Sequence, residues 1–260
     1  MNRTLILSDI HLCKKISSCK TPEQLRPLWK GCDKLILNGD TTEEHGLQTA
    51  EQSRKQTQKL IKLADEDGVE TILICGNHDP EYSPNHIWML DDKVLVMHGH
   101  IAFSGIAPWS WRSRYIAQAR LQYLQESGDG FEQQLSAVDR ASVDAATGKF
   151  KSSRPSTMRF LLLALPAFCH VVLSWLAFPS RIHRWVHKYA PKAKFVITGH
   201  THHAGIWKRD GRVIINTGCF GFPSHPRAVY IEDKTITVYK LRCKNTIYSL
   251  GRVCASWNVR

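Results

Sequence analysis

Five short clusters of carboxylate, imidazole and amide side chains occur along the chain: Asp9-Ile10-His11, Gly39-Asp40, Gly76-Asn77-His78-Asp79, His98-Gly99-His100 and Gly199-His200-Thr201-His202. None contains a thiol, so together they suit a hard or borderline divalent cation: manganese, iron or zinc. In Asp9-x-His11 and His200-x-His202, alternate residues of a regular strand would face opposite ways. Both can reach one ion only where the strand ends in a turn, and the glycines permit sharp turns beside a crowded site. A lone Asp or His at such a place is ordinarily a cap or a solvated loop residue. Five such clusters in one chain ask for a common cause.

The elements that must position them can be read from hydrophobic periodicity. Residues 3–8, 34–38, 71–75 and 93–97 read as buried strands, each ending at one of the clusters. Residues 48–64 read as a helix closed by Gly68. Further strands are expected at 194–198, 212–216, 228–232 and 235–241, with turns too short for parallel crossovers, so the second half reads as antiparallel. Alternating strands and helices followed by a β-rich half imply an α/β fold of two packed sheets flanked by helices. The five clusters then converge on one rim, and in open α/β folds the carboxyl rim of the sheet is where ligands bind.

In type and order the set resembles the calcineurin-like metallophosphoesterase family, whose pattern is Asp-x-His, Gly-Asp, Gly-Asn-His-Asp, His and Gly-His-x-His. The resemblance implies a four-layer αββα sandwich and two divalent metal ions, with manganese expected and iron or zinc as alternatives. It implies Asp9, His11, Asp40 and His202 on the first ion and Asp40, Asn77, His98 and His200 on the second, with Asp40 bridging. Two cations a few ångströms apart can activate water at neutral pH, fix phosphoryl oxygens and stabilise the charge of an in-line displacement. His78 is then the expected catalytic acid toward the leaving oxygen, with Asp79 orienting it. His100 and His203 are expected beside the ligands.

The 260 residues carry 35 Lys and Arg against 23 Asp and Glu, a net charge of +12, with 43% hydrophobic and 22% charged residues. This is a globular composition, which excludes a disordered chain and a small disulfide scaffold. Eight cysteines form no Cys-x-x-Cys pair and read as reduced, and the chain starts directly on a strand, so a cytoplasmic setting is expected. Cys13 and Cys219, near the clusters, read as small buried hydrophobes. His45, His86, His183, His187 and His225 have no motif partner and read as surface or substrate-neutral residues.

Residues 104–190 interrupt the strand pattern, dividing the chain into a catalytic domain over 1–103 and 191–260 and a helical cap insertion over 104–190. Within it Trp111, Tyr115, Ile116, Ala119 and Tyr123 fall on one helical face, residues 127–157 read as a loop with at most a short helix, and residues 160–178 carry no Asp, Glu, Lys or Arg. The stretch from 106 to 189 holds 11 Lys and Arg against 5 Asp and Glu. A membrane crossing at 160–178 would separate the clusters that must form one site. The run is therefore either a helix buried against the domain or an apolar cap on an anionic membrane surface, flanked by Arg159, Arg181, Arg184 and Lys188 and marked by Trp175 and Trp185. The cap is the favoured reading. In position and character the insertion resembles the cap of UDP-2,3-diacylglucosamine pyrophosphohydrolases, although their motifs read Gly-Asn-Arg-Asp and His-Gly-Asp where this chain has Gly-Asn-His-Asp and His98-Gly99-His100.

The expected function is hydrolysis of a phosphodiester or pyrophosphate, with a lipid-linked substrate met at the membrane surface. The alternatives are a soluble nucleotide or cyclic-nucleotide phosphodiesterase and a non-catalytic scaffold of the same fold. Nucleic acid is disfavoured as a partner, because no basic run interleaved with aromatics tracks a strand.

Overall fold

The strands most apolar in sequence become the middle of two sheets. The computed structural model describes residues 3–45, 47–107, 110, 112–128, 130–149 and 157–259, the side chains of 47–48 and 157–167 excepted. One sheet contains β1 (Thr4–Leu7), β2 (Lys34–Asn38), β3 (Glu70–Ile74), β9 (Arg227–Glu232), β10 (Thr235–Lys244) and β11 (Ile247–Asn258), in the order β11-β10-β9-β1-β2-β3. The other contains β4 (Ile87–Leu90), β5 (Val94–Met97), β6 (Phe195–Thr198), β7 (Gly205–Arg209) and β8 (Arg212–Asn216), in the order β4-β5-β6-β8-β7.

Period-two alternation divides the apolar residues among three cores. Ile6 and Ile36 of the first sheet meet Val94, Val96, Ile197 and Ile215 of the second between the sheets. On the outer side of the first sheet, Leu5, Leu7, Leu35 and Leu37 pack with Leu60 and Ala64 of α1 (Leu47–Glu66) and with Leu25 and Leu28 of a short 3₁₀ helix over Pro22–Leu28. On the outer side of the second sheet, Leu95, Met97, Val196 and Ile214 pack against helices. The layers therefore run helix, sheet, sheet, helix, as expected. Strands buried on both faces read as continuous apolar runs, which is why they were visible in the sequence.

The three strands that escaped sequence reading, β4, β7 and β11, all lie at sheet edges, where burial on one side leaves only a weak pattern. The antiparallel expectation for the second half holds only in part. The β9-β10-β11 ribbon and the β7/β8 hairpin are antiparallel, whereas β6 pairs parallel with both β5 and β8. β7 makes this possible by carrying the chain back along the edge.

Residues 104–190 depart most from expectation. The helices are α2 (Ser113–Ser127), α3 (Phe131–Ala146) and α4 (Thr157–Tyr189), so much of the segment read as a loop is helical. Its Leu135, Val138, Ala141 and Ala145 are buried at three- and four-residue spacing, a stripe that short Ser, Ala and Asp neighbours obscure. On α2 the inward face contains Ile116, Ala119 and Arg120, while Tyr115 is exposed and Trp111 lies outside the described residues. Periodicity cannot anticipate a buried arginine. Arg120 satisfies its guanidinium on Phe103 O (2.8 Å), Ile101 O (3.1 Å) and Gln134 Oε1 (2.9 Å).

The long α4 has two characters. Phe178, Ile182 and Val186 are buried in the same core as β5, β6 and β8, so this end forms the outer helical layer. Nearer its start Phe168, Leu173 and Leu176 are exposed. The expected apolar residues Leu161, Leu162, Leu163 and Leu165 lie outside the described side chains. Among the described residues, no helix is long and apolar enough to cross a membrane.

Candidate metal centre

Parallel β1, β2 and β3 in one sheet and β5 and β6 in the other deliver the five clusters from their carboxyl ends. Asp9 (φ 51°), His11 (49°), Asp40 (51°), His200 (74°) and His202 (56°) all adopt left-handed backbone. For residues with a Cβ this costs on the order of 1–2 kcal/mol each, and such strain persists where the surroundings over-determine it. The left-handed steps turn alternate residues toward one point, as the Asp-x-His and His-x-His spacings required. Two glycines clear the space: a Cβ on Gly76 would overlap the Asp40 carboxylate, and one on Gly199 would overlap that of Asp9.

The side chains converge. One donor atom each of Asp9, His11, Asp40 and His202 lies within 4.8 Å of all the others. Asp9 Oδ1 is 3.3 Å from His202 Nε2, and His11 Nε2 is 3.1 Å from His202 Nε2. Asp40 Oδ2 sits between two imidazoles, 3.6 Å from His11 Nε2 and 3.4 Å from His98 Nε2. On the far side, the His98 and His200 rings are 5.3 Å apart. Asn77 Oδ1 and His98 Nε2 are buried with no hydrogen-bond partner.

These groups fit a pair of cations and poorly fit a metal-free core. Unpartnered polar atoms and facing ring nitrogens in a buried site are costly unless an ion completes them. The ring orientations agree: His98 Nδ1 bonds Asn38 O at 2.9 Å, and His200 Nε2 bonds Ile106 O at 2.7 Å, which makes the opposite nitrogens the ones that would meet a cation. The electrostatics are also strained. Burial drives His11 down to about 4 and, with charge on His98, drives His200 down to about 3. For His98 and His202 burial is outweighed: Asp40 and Asp9 hold His98 up at about 9, and Asp9 and Cys219 hold His202 up at about 10. Against its own burial, Asp40 is kept well below the carboxylate range by His98 and His78.

His78 reaches the same space, but its orienting partner differs from expectation. Asp79 does not hold His78. Its Oδ1 accepts from the backbone N–H groups of Gly76 (2.7 Å) and Asp40 (3.0 Å), and its Oδ2 from those of Thr41 (2.8 Å) and Thr42 (3.0 Å). Asp79 therefore ties the two loops that present Asp40 and Asn77, and burial with the nearby Asp40 charge raises its carboxyl to about 6. His78 Nδ1 instead bonds Glu43 Oε1 at 2.7 Å. Glu43 is 4% exposed, also approaches His11 Nδ1 (3.3 Å) and pairs with Lys14 Nζ (2.7 Å). Sequence reading missed it by stopping at Gly39-Asp40. The signal was a carboxylate three residues further on.

Other neighbours were also misjudged. His45 is not a bystander: its ring stacks on His78 at 4.2 Å and its Nε2 lies 3.1 Å from Asn77 O. Cys219 is buried, as read, and also touches His202. His100 is buried 5.4 Å from the His98 ring, and His203 stacks on Trp175 at 4.6 Å. His86 is bonded to Cys75 and Asp139 and is not a surface residue. His225 is exposed.

A cavity of about 440 Å³ opens over these groups, lined by Asp40, Asn77, His78, His200 and His202. Its walls add two cations, Lys14 and Arg112, and apolar Ile16, Ile106, Ile116 and Ala145. Arg112, Ile116 and Ala145 come from the 104–190 segment, which therefore shapes whatever binds.

A search of the curated proteins returns no match. Solved structures similar to this chain include vacuolar protein sorting 29 from Cryptosporidium parvum, at 10% identity over 99% of this chain and 98% of that one with a TM-score of 0.48. They also include a dimetal phosphatase from Danio rerio, at 11% identity over 91% and 95% with a TM-score of 0.49. A cold-active protein-tyrosine phosphatase of a psychrophilic Shewanella is 13% identical over 96% of this chain and 80% of its own, with a TM-score of 0.45. The calcineurin-like phosphoesterase superfamily domain matches residues 3–235, which takes in all five clusters, and the chain belongs to that superfamily.

Proposed function

We propose that this protein is a metal-dependent hydrolase of a phosphodiester or pyrophosphate. The observation that carries the reading is Asp40 Oδ2 between His11 and His98, with donor atoms converging from both sheets. Asp9, His11 and His202 would hold one cation and Asn77, His98 and His200 the other, with Asp40 shared between them. Bound divalent ions, with manganese as our choice, supply Lewis acidity toward phosphoryl oxygens and an activated water.

The chain's own groups do the rest. Lys14 and Arg112 face the cavity and neutralise phosphate charge. With Nδ1 of His78 held by Glu43, its other ring nitrogen is free to donate a proton to the leaving oxygen. Glu43 fixes the orientation of the ring, while Asp79 keeps the loop bearing His78 in register with the loop bearing Asp40.

For the substrate, the reading is a lipid-linked phosphoester met at an anionic membrane surface from the cytoplasmic side. Support comes from exposed apolar residues near the site. Phe168, Leu173 and Leu176 are 62%, 61% and 72% exposed on α4, and Trp175 in their midst bonds Thr201 O at 3.0 Å, beside His200 and His202. Ile16, half exposed, lines the cavity mouth. Large apolar side chains on a helix whose later turns carry Arg181 and Arg184 suit an interfacial helix.

The test is hydrolysis by the manganese-loaded protein of bis(p-nitrophenyl) phosphate, a cyclic nucleotide, single-stranded DNA and a UDP-linked acylated sugar, with and without detergent micelles. Micelle-dependent cleavage of the acylated substrate is expected. Cleavage of soluble diesters alone keeps the chemistry and discards the lipid; no cleavage and no bound metal would make the fold a binding scaffold.

A further inference from the structure

A second group of metal-binding side chains lies outside the catalytic cavity, where α3 packs against the first sheet's loop. Cys75 directly follows β3, His86 directly precedes β4, and Asp139 lies on α3. Cys75 Sγ is 3.2 Å from His86 Nδ1, and His86 Nε2 is 3.0 Å from Asp139 Oδ2. The segments are held together independently by the Cys75 N–H bond to Asn85 O at 2.8 Å. One donor atom from each residue lies within 4.8 Å of the other two. A tetrahedral zinc ion with bonds of about 2.0–2.3 Å spaces its ligand atoms by about 3.3–3.8 Å, so an ion taken on one ring nitrogen of His86 replaces the contact on the other and draws Cys75 and Asp139 together by about an ångström.

A hydrogen-bonded chain, S–H to Nδ1 and Nε2–H to carboxylate, would satisfy His86 alone. It leaves the surroundings unanswered. Asp139 Oδ1 and Ser142 Oγ, a turn further along α3, are buried with no hydrogen-bond partner. Two buried polar atoms on α3, one of them on the site's own carboxylate, leave room for a cation with its own water ligands. Catalysis by Cys75 as a nucleophile is a poorer reading, because the residue is 1% exposed.

The geometry points to a third metal site, Cys75, His86 and Asp139, for a zinc-class divalent cation that fastens the 104–190 segment to the loop carrying Asn77 and His78. Thiolate, imidazole and carboxylate suit a borderline ion. The catalytic clusters offer no thiolate within their motifs, so the two kinds of site differ spectroscopically.

The full-length protein, stripped and reloaded with cobalt(II), should bind about three equivalents per chain and show a thiolate-to-cobalt charge-transfer band. Cys75→Ser should abolish the band and reduce binding to about two equivalents. Asp139→Asn, a substitution on a partly exposed helix face, should weaken the third equivalent about 10-fold or more while two remain. Two equivalents and no thiolate band in the wild type would overturn the site, and so would a band that survives in Cys75→Ser.

Discussion

The strand-end rim and the 104–190 segment contribute to the same cavity, yet they are built on different principles. At the rim, side chains are placed by backbone: five residues in left-handed conformation and two glycines without room for a Cβ aim donors at one point. In the segment, side chains are placed by packing: Phe178, Ile182, Val186, Leu135 and Val138 share one core with β5, β6 and β8. The first kind of order is local and tolerates no change of residue type. The second is distributed, so it tolerates exchange of apolar residues of similar volume.

Breaking the rim should therefore have the largest effect. Asp40→Ala removes the carboxylate between His11 and His98 and should lower turnover on a generic diester by at least about 10³-fold while metal content falls. Near-normal turnover would refute the dimetal reading. Proton counting sharpens the same point. Without cations His98 and His202 are raised to about 9 and 10, so they hold protons at neutral pH that metal must displace. Metal affinity should fall as pH is lowered from 9 toward 7, with about two protons released per chain on loading. pH-independent binding would place the ions elsewhere.

A smaller loss is expected one step from the reacting atoms. Glu43→Gln keeps the size of the residue but removes the charge beside His78 and His11, and should lower kcat about 10–100-fold, with Glu43→Asp recovering part of it. The loss should vanish when a leaving group that needs no protonation replaces an alkoxide. An equal loss with both leaving groups would make Glu43 a prop for His11 alone.

How much was legible follows the same division. The clusters could be read because metal ligation demands particular residue types at strand ends, and central strands buried on both faces leave unbroken apolar runs. Glu43 was missed and Asp79 given its role because both are carboxylates near His78. Only the loop path, which spends both Asp79 oxygens on four backbone N–H groups, tells them apart. Likewise nothing in periodicity announces a buried Arg120, or that His86 faces Cys75 and an aspartate more than fifty residues away.

Packing in the segment can be tested through stability. Leu135 is 6% exposed on α3 and touches the core of the second sheet. Leu135→Ala should cost about 2–5 kcal/mol, read as a lower denaturation midpoint at unchanged slope. A cost under about 0.5 kcal/mol would return residues 131–146 to the loop expected from composition.

The least change in stability should come from the exposed turns of α4, and there the two regions separate most cleanly. Leu173 and Leu176 lose little water contact on folding, so replacing both with Ser should alter stability by no more than about 0.5 kcal/mol and leave hydrolysis of a soluble diester intact. If these turns meet a bilayer, the same double substitution removes two leucines' worth of apolar area from the interface, and co-sedimentation with phosphatidylglycerol vesicles should drop several-fold. Unchanged sedimentation would leave the α4 face without a membrane role. A double variant that is instead strongly destabilised would mean that these leucines are buried in solution against another copy of the chain.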